Sequence, residues 1–408
     1  MSQTPPPWIV AIAVIVILQT VSAYLSRLLP IVSPAFMAEF GWDEIWIGYL
    51  TAANIVGALF VLFTCMGLIR RYGGVLALQV CLLLGSACLL LFHVPSLALA
   101  LLASALIGFS NGTANPAGSE VLQRFTPPAR RNFVFSIKQA GVPLGGVVAG
   151  LGIPPLVEAL GWRTALVVAA GCAAAVTLAM WPFQSRIDGP RERTASWSLQ
   201  TLSLADLAGP LRSLSRGPGL TRMAWVGAVL AVAQACWFTF AVTYVVVGLG
   251  KSLSVAGLVF AVMQATSVIG RVAIGWIADR IGSSTWTLAI AAVSSALATI
   301  ALGLTAADWP VWALLLLAAF AGASVSGWNG VQIAEVARRS PPEMVGETAA
   351  GAVILVFASN MIAPIAFAAF VAVSRRFDLA FIAAGAFSLL CLPLLWGIDR
   401  KPLSEGGW

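Results

Sequence analysis

Residues 270–282 read "GRVAIGWIADRIG", an apolar run with Arg271 in its interior and the pair Asp279 and Arg280 near its end. If this stretch crosses a membrane, Arg271 is costly, because a cation near the centre of a bilayer costs at least ~2.5 kcal/mol. The composition of the surrounding chain indicates whether it does. The 408 residues are 60% apolar and only 10% charged, with a mean hydropathy of +0.93. A soluble domain carries about a quarter charged residues. Composition therefore predicts an all-α integral membrane protein.

Apolar runs long enough to cross a bilayer, about 20 residues each, recur from one end of the chain to the other. Twelve spans are predicted, at 8–33, 46–69, 75–93, 97–123, 132–157, 163–183, 221–248, 253–277, 285–305, 310–337, 347–373 and 379–397. The longest polar stretch, 184–220, falls between spans six and seven. It predicts a cytoplasmic linker joining an N-terminal six-helix bundle, 1–183, to a C-terminal bundle, 221–398, with a cytoplasmic tail at 399–408.

The basic residues are distributed unequally between the two sets of loops. With both termini cytoplasmic, sixteen Lys and Arg lie on inner loops and the tail, and four lie on outer loops. Because inner loops are enriched in basic residues, we predict a multi-pass protein of the cell inner membrane, monomeric and with both ends inside. The net charge of +7 is then an orientation signal rather than a nucleic-acid surface.

Two positions repeat at one spacing. Glu120 in "SEVLQRFTPPARR" and Glu335 in "AEVARRSPPEMVG" are 215 residues apart, as are Gln19 and Gln234. In both segments a Glu near the inner end of a span is followed by basic residues and Pro-Pro. A shared offset indicates duplication into two parallel halves, which commonly place a substrate site at their interface.

The segment "GWIADRIG" at 275–282 resembles the G-x-L-a-D-R-x-G motif of the major facilitator superfamily. This resemblance, with the spans and the repeated Glu element, implies two parallel six-helix repeats around a central cavity that opens alternately to each side. Gly275 and Gly282 are expected to allow a close helix contact and a tight turn. Arg280 and Arg338 are expected to pair with Asp279 and Glu335, either as a gate or as a fixed structural latch.

The first half departs from this motif. Its loop reads "MGLIRRYGG" at 66–74, with Arg70 where the family has Asp. Glu120 is the candidate for the missing negative charge, and Asp279→Asn is predicted to impair transport more than Arg70→Ala. The residues assigned to gating are Arg70, Arg71, Glu120, Gly275, Asp279, Arg280, Gly282, Glu335 and Arg338.

Three cations lie inside predicted spans, whereas no acid occupies the middle of any span. They are Arg27, Lys138 and Arg271. An anionic substrate would supply the missing counter-charge, so a small organic anion is the leading prediction, with protons as a second candidate partner. The alternatives are that Arg27 snorkels to the outer surface, Lys138 pairs with Glu120, and Arg271 belongs to the latch.

The spacing R-x-x-x-G-W-x-x-D from Arg271 to Asp279 is similar to the eighth span of oxalate and monocarboxylate porters. In those porters the arginine is implicated in carboxylate binding, and the resemblance implies that role for Arg271. A guanidinium suits a carboxylate because it donates two parallel hydrogen bonds. The acidic, aromatic signature of monocarboxylate porters in span one is absent here.

Further polar and aromatic side chains within spans are candidates to line the substrate site, although such side chains also join helices to one another. The full substrate-binding set is Tyr24, Arg27, Asn111, Asn115, Lys138, Gln139, Gln234, Trp237, Gln264, Arg271, Trp328, Asn329 and Asn360. No catalytic, metal or cofactor motif is present, so we expect no enzyme, no cofactor and no partner other than substrate and membrane lipids. Export of amphipathic or drug-like compounds is the rival transport function, and a transport-dead receptor is the rival class.

Overall fold

The computed structural model describes residues 8–64, 69, 71–127, 131–189 and 204–398. It divides into two compact units, Met1–Leu202 and Ser203–Trp408, with the boundary inside the predicted linker. The predicted tail 399–408 and the gating candidate Arg70 lie outside the described residues. So do the basic residues Arg130, Arg191, Arg193, Arg400 and Lys401.

The first unit is built from six helices in its described part. They are α1 (Trp8–Phe40), α2 (Trp46–Thr64), α3 (Gly74–Cys88, continued by a 3-10 turn at Leu89–His93), α4 (Leu97–Phe125), α5 (Arg131–Ala179) and α6 (Trp181–Asp188). Helix α5 is interrupted at Gly161, where φ is 79° and ψ is 155°. Glycine adopts a positive φ without steric cost, so α5 changes direction at the predicted turn between spans five and six.

The second unit contains nine helices in its described part. They are α7 (Leu204–Ser213), α8 (Leu220–Thr243, continued by a π turn at Tyr244–Gly248), α9 (Leu253–Ile281), α10 (Ser284–Gly303), α11 (Val311–Gly327), α12 (Asn329–Arg339), α13 (Val345–Ser374), α14 (Phe377–Ser388) and α15 (Cys391–Leu395). The predicted span ten is therefore two helices that meet at Trp328, and the predicted span twelve is also divided. Helix α7 lies within the predicted linker.

Ten stretches of the described chain are long and apolar enough to cross a membrane. One of them, Val134–Ala179, has 46 residues, enough for two crossings on either side of Gly161. The shorter apolar helix Trp46–Leu62 lies at the second predicted span. An all-helical membrane fold is confirmed, since the apolar stretches required by composition form helices at the predicted places.

Helices within each unit pack closely through small residues. In the first unit α1 packs on α5, and α4 packs on both α2 and α3. In the second unit α8 packs on α13, α9 on α11, and α10 on α14. Lipid is as apolar as a leucine side chain, so association between helices depends on close van der Waals contact, which small residues permit.

Candidate functional site

Arg271 lies on α9 beside the contact of that helix with α11. A Cβ atom at the preceding residue, Gly270, would lie 2.5 Å from the carbonyl oxygen of Ala323, so the two backbones touch here. The Arg271 side chain is half-buried, and its Nε atom is buried without a hydrogen-bond partner among the described residues. A buried guanidinium N–H without an acceptor is costly. The buried Nε of Arg271 therefore makes this side chain a candidate for binding an anion.

Lys138, on α5, contacts neutral oxygens rather than the acid considered for it. Its Nζ donates to the backbone O of Asn115 at 3.0 Å, to Asn115 Oδ1 at 3.3 Å and to Ser119 Oγ at 3.3 Å. Glu120 instead lies 3.9 Å from Arg124. The pairing of Lys138 with Glu120 is thus wrong, because the neighbouring polar atoms of α4 already use all three ammonium protons.

Among the gating candidates, Glu335 forms the ion pair expected with Arg338 and a second one that the sequence analysis missed. Arg338 Nη2 and Arg339 Nε each lie 2.6 Å from Glu335 Oε1. Arg339 also donates from Nη1 to the carbonyl of Ile398 at 3.5 Å. Both Glu335 and Arg339 are buried, whereas Arg338 is exposed. The core of this cluster is therefore Glu335 with Arg339.

The motif residues at the end of α9 have a different environment. Asp279 and Arg280 are exposed, and the described residues supply neither of them with an ion pair. Gly282 ends the helix in the left-handed region, with φ 69°, which confirms the expected turn. A Cβ at Gly275 would meet no described atom within 4 Å, so the close contact expected there is absent from the described chain.

The corresponding end of the first unit holds an acid that the sequence analysis assigned to the linker. Asp188, the last residue of α6, accepts hydrogen bonds from the backbone N of Val75 at 3.0 Å and of Leu76 at 2.9 Å, at the start of α3. Gln184 Nε2 donates to the same carboxylate at 3.0 Å. A carboxylate at a helix N-terminus satisfies free N–H groups and the helix dipole. Asp188 is therefore a negative charge at this helix end, in addition to Glu120, whose Oε2 lies 3.2 Å from the position of a Cβ at Gly74.

Gly73 explains why α3 needs an acid from another helix. It precedes α3 with φ 105° and makes no side-chain cap of its own. A Cβ at this position would lie 2.6 Å from Cβ of Asp188. Glycine therefore permits both the turn and the close approach of the carboxylate. No local pattern reveals this contact, since the two residues are more than a hundred positions apart.

The two tryptophans proposed to shape a pocket are packed in the second unit. Trp237 is buried, donates from Nε1 to Thr299 Oγ1 at 3.1 Å, and contacts the ring of Phe381. Trp328 is buried in the apolar core, and its Nε1 donates to the carbonyl of Val325 at 2.8 Å. Both polar N–H groups are satisfied, so these side chains behave as core residues.

The remaining candidates differ in exposure. Gln234 and Gln264 are buried, Asn115 and Gln139 are exposed, and the half-buried ones are Tyr24, Arg27, Asn111, Asn329 and Asn360. Arg71, also half-buried, lies over the ring of Tyr72 at 5.4 Å. Within the described part of the chain, Asn115 and Lys138 are two substrate candidates that a hydrogen bond joins to each other.

A cavity of about 420 Å³ lies within the second unit between α8, α13 and α14. Its walls are almost entirely apolar and include Trp225, Phe367, Phe370 and Phe387, with Ser359 among the few polar groups. None of the three cations found within spans lines it. This cavity suits an apolar group and offers no recognition of a charge.

No cluster of three or more His, Cys, Asp or Glu side chains suitable for a metal ion occurs in the described ranges. Cys81, Cys88, Cys172, Cys236 and Cys391 are free thiols. Cys65 lies outside the described residues. Isolated thiols and carboxylates do not form a metal site.

The family model of the Major Facilitator Superfamily matches residues 12–329 and, in a second alignment, residues 237–407. The chain belongs to the major facilitator superfamily. The members of this superfamily are membrane transporters, so the family is one of transporters and not of enzymes. The two overlapping alignments cover nearly all of the sequence.

This facilitator is similar to an uncharacterized MFS-type transporter of Mycobacterium tuberculosis (strain CDC 1551 / Oshkosh), with 26% identity over 59% of the chain and 51% of that relative. It is also similar to the 4-hydroxybenzoate transporter PcaK of Pseudomonas putida, with 23% identity over 61% of each protein. The chain thus spans only about half of the mycobacterial relative's length.

Solved structures of other transporters share the fold. A bacterial homologue of the human lysosomal transporter Spinster, in an inward-facing and occupied conformation, aligns with a TM-score of 0.77 and 15% identity over 99% of this facilitator and 100% of that chain. A POT family transporter in complex with 5-aminolevulinic acid aligns with a TM-score of 0.74 and 14% identity over 97% and 96%. At these identities the likeness concerns the fold alone.

Proposed function

We propose that this protein is a secondary transporter that moves a small organic anion, a carboxylate, across the inner membrane by alternating access. The observation that carries the proposal is Arg271, whose buried Nε has no hydrogen-bond partner among the described residues. A carboxylate would accept two parallel hydrogen bonds from its guanidinium. The likeness to 4-hydroxybenzoate transporters, whose named substrate is a carboxylate, supports the same class of substrate.

Arg271 is a better anion ligand than Lys138. The three protons of the Lys138 ammonium are donated to oxygens of Asn115 and Ser119. A carboxylate could bind Lys138 only by displacing one of these acceptors. Arg271 Nε is a donor that is already buried and makes no hydrogen bond within the described residues. A hydrogen bond from it to an anion would therefore break no existing hydrogen bond.

The test is uptake of radiolabelled small carboxylates, 4-hydroxybenzoate among them, into proteoliposomes that contain the wild type, Arg271→Gln or Arg271→Lys. The loop variant Lys251→Gln serves as the control for loss of a positive charge. A charge-assisted hydrogen bond contributes about 1.5–3 kcal/mol, so Arg271→Gln is expected to raise KM roughly ten- to hundredfold. Arg271→Lys keeps the charge but loses the planar fork, and an intermediate KM is expected.

Saturable wild-type uptake that Arg271→Gln leaves unchanged, in folded protein, would refute the role of Arg271. The absence of any carboxylate uptake by the wild type would refute the anion proposal as a whole. If Lys251→Gln loses as much uptake as Arg271→Gln, the loss results from removing a positive charge and not from removing a substrate ligand.

Export of an amphipathic compound is the second candidate function, and the apolar cavity of the second unit favours it. A hydrophobic substrate would enter the 420 Å³ cavity and would be insensitive to Arg271. Ala358→Phe, which places a ring among the residues that line the cavity, is expected to abolish transport of such a compound. The same variant would leave carboxylate uptake close to wild type if the first proposal is correct.

A further inference from the structure

Lys138 has an environment that the proposed anion site does not use. Its side chain is 2% exposed, and its ammonium protons face the backbone O of Asn115, Asn115 Oδ1 and Ser119 Oγ. All three acceptors are neutral. A cation buried in this way normally has an opposite charge beside it, but within the described chain no carboxylate pairs with Lys138.

The other charged and titratable groups near this helix are occupied elsewhere or do not contact the lysine. On the elements that pack against α5 they are Tyr24, Arg27 and Glu39 on α1, Cys81 and Cys88 on α3, His93 in the following turn, Glu120 and Arg124 on α4, and Arg186 and Asp188 on α6. None of these forms a hydrogen bond or ion pair with Lys138 in the described structure. Changes in the protonation of Lys138 are therefore not compensated by a neighbouring acid.

The three acceptors distinguish the charged form of this lysine from the neutral form. An ammonium has three N–H donors, one for each oxygen, whereas a neutral amine has two donors and a lone pair. Loss of the proton leaves one oxygen without a donor and turns the lone pair towards an oxygen. The joint between α4 and α5 is therefore complete only when Nζ carries its third proton.

The segment of α4 that the lysine holds is a place where a helix bends readily. Pro116 follows Asn115 within α4, and a proline inside a helix removes one backbone hydrogen bond. A Cβ at Gly118 would lie 2.7 Å from Lys138 Cε, so the lysine stem is fitted against the helix just after this proline. Proton binding at Nζ thus acts directly on a bendable part of α4.

Glu120 and Glu335, the acids at the repeated positions of the two halves, each have an arginine as a partner. Glu335 is held by Arg338 and Arg339, each at 2.6 Å. Glu120 lies 3.9 Å from Arg124. Arginine does not give up its proton in proteins, so each of these carboxylates already has a permanent counter-charge beside it.

We propose that Lys138 is the proton-coupling residue of the transport cycle, an inference that rests on the proposed function. In each cycle a proton from water on one side of the membrane forms the third N–H bond at Nζ and joins α4 to α5. The same N–H bond breaks when the proton passes to water on the other side. One proton then accompanies one carboxylate, and the pair crosses without net charge.

The first experiment compares the wild type, Lys138→Met, Lys138→Arg and the control Lys251→Met in proteoliposomes supplied with radiolabelled 4-hydroxybenzoate. With an acidic exterior and an alkaline interior, the wild type and the control are expected to accumulate the label above equilibrium. Both Lys138 variants are expected to exchange internal for external substrate but not to accumulate it. Accumulation by Lys138→Met within about twofold of wild type would overturn the proposal, since a coupled gradient of one pH unit supports about tenfold accumulation.

A second measurement needs no substrate and separates the two proposals. Backbone hydrogen exchange of α4 between residues 111 and 119 is measured in nanodiscs at mildly acidic and mildly alkaline pH, corrected for intrinsic rates. In the wild type, the opening equilibrium of this segment of α4 is expected to be at least about threefold larger at alkaline pH than at acidic pH. In Lys138→Met the opening equilibrium is expected to be the same at the two pH values. Equal wild-type opening at the two pH values would overturn the lysine proposal even if no carboxylate is transported. A pH-dependent wild type that moves no carboxylate would retain the proton site and reject the anion function.

Discussion

Arg338 and Arg339 offer a test of how burial determines the strength of an ion pair, because both bind the same carboxylate. Each has a guanidinium nitrogen 2.6 Å from Glu335 Oε1, but the Arg338 side chain is 54% exposed and the Arg339 side chain 3%. Breaking a buried pair costs roughly 3–5 kcal/mol, since an uncompensated buried charge is left. Glu335 would retain Arg338, so Arg339→Ala is expected to lower the free energy of unfolding by about 3 kcal/mol, at the bottom of that range.

Arg338→Ala removes the exposed partner and is expected to cost at most about 1 kcal/mol, because water and salt screen such a pair. The assay is chemical unfolding of the purified protein in mixed micelles, with the two single variants and the double variant. High salt should reduce the effect of Arg338→Ala and leave that of Arg339→Ala nearly unchanged. Equal losses for the two single variants would refute the argument, because Arg338 binds the carboxylate through two nitrogens, Nε at 2.9 Å and Nη2 at 2.6 Å, and is expected to contribute less only because it is exposed.

Three further outcomes are expected. Asp188→Ala is expected to lower the stability of the first turn of α3 by about 2 kcal/mol, since it removes the acceptor of two helix N–H groups. Hydrogen exchange of the Val75 and Leu76 amides measures this loss, and unchanged protection of the two amides would contradict the prediction. Gly145→Val should reduce folded yield because a Cβ there would lie 2.5 Å from the carbonyl of Thr20, whereas Gly152→Val, with no described atom within 4 Å, should be harmless; similar yields would exclude the close contact as the cause. In the transport assay Asp279→Asn should reduce the rate more than Arg70→Ala, and the reverse order would exclude the predicted asymmetry between the halves.

The sequence alone determined the membrane class and the positions of the spans. Both depend on local composition, because every run of about 20 apolar residues must satisfy its own backbone hydrogen bonds within lipid and so forms a helix. Gly161 is an example, since the predicted break between spans five and six falls at its positive φ. The motif that resembles the facilitator family is equally local, and the turn at Gly282 was predicted from it.

The partners of the charged side chains could not be determined in this way. Asp188 binds the start of α3 from 113 residues away, and no periodicity along the chain connects the two. Lys138 faces Asn115 and Ser119 instead of Glu120, because the rotation of α4 about its axis decides which of its polar residues meet α5. Sequence spacing places Asn115, Ser119 and Glu120 at a depth similar to that of Lys138. Only the packing of α4 against α5 determines which of them the lysine contacts.

Burial was likewise decided by tertiary structure. Arg338 and Arg339 are neighbours of one residue type, yet α12 turns only the second of them towards the carbonyl of Ile398 and out of solvent. Trp237, which the sequence could equally assign to a pocket or to the core, is packed against Phe381 and bonded to Thr299. Hydropathy specifies that a segment leaves water, whereas the contacts between helices specify which of its faces meets lipid, protein or substrate.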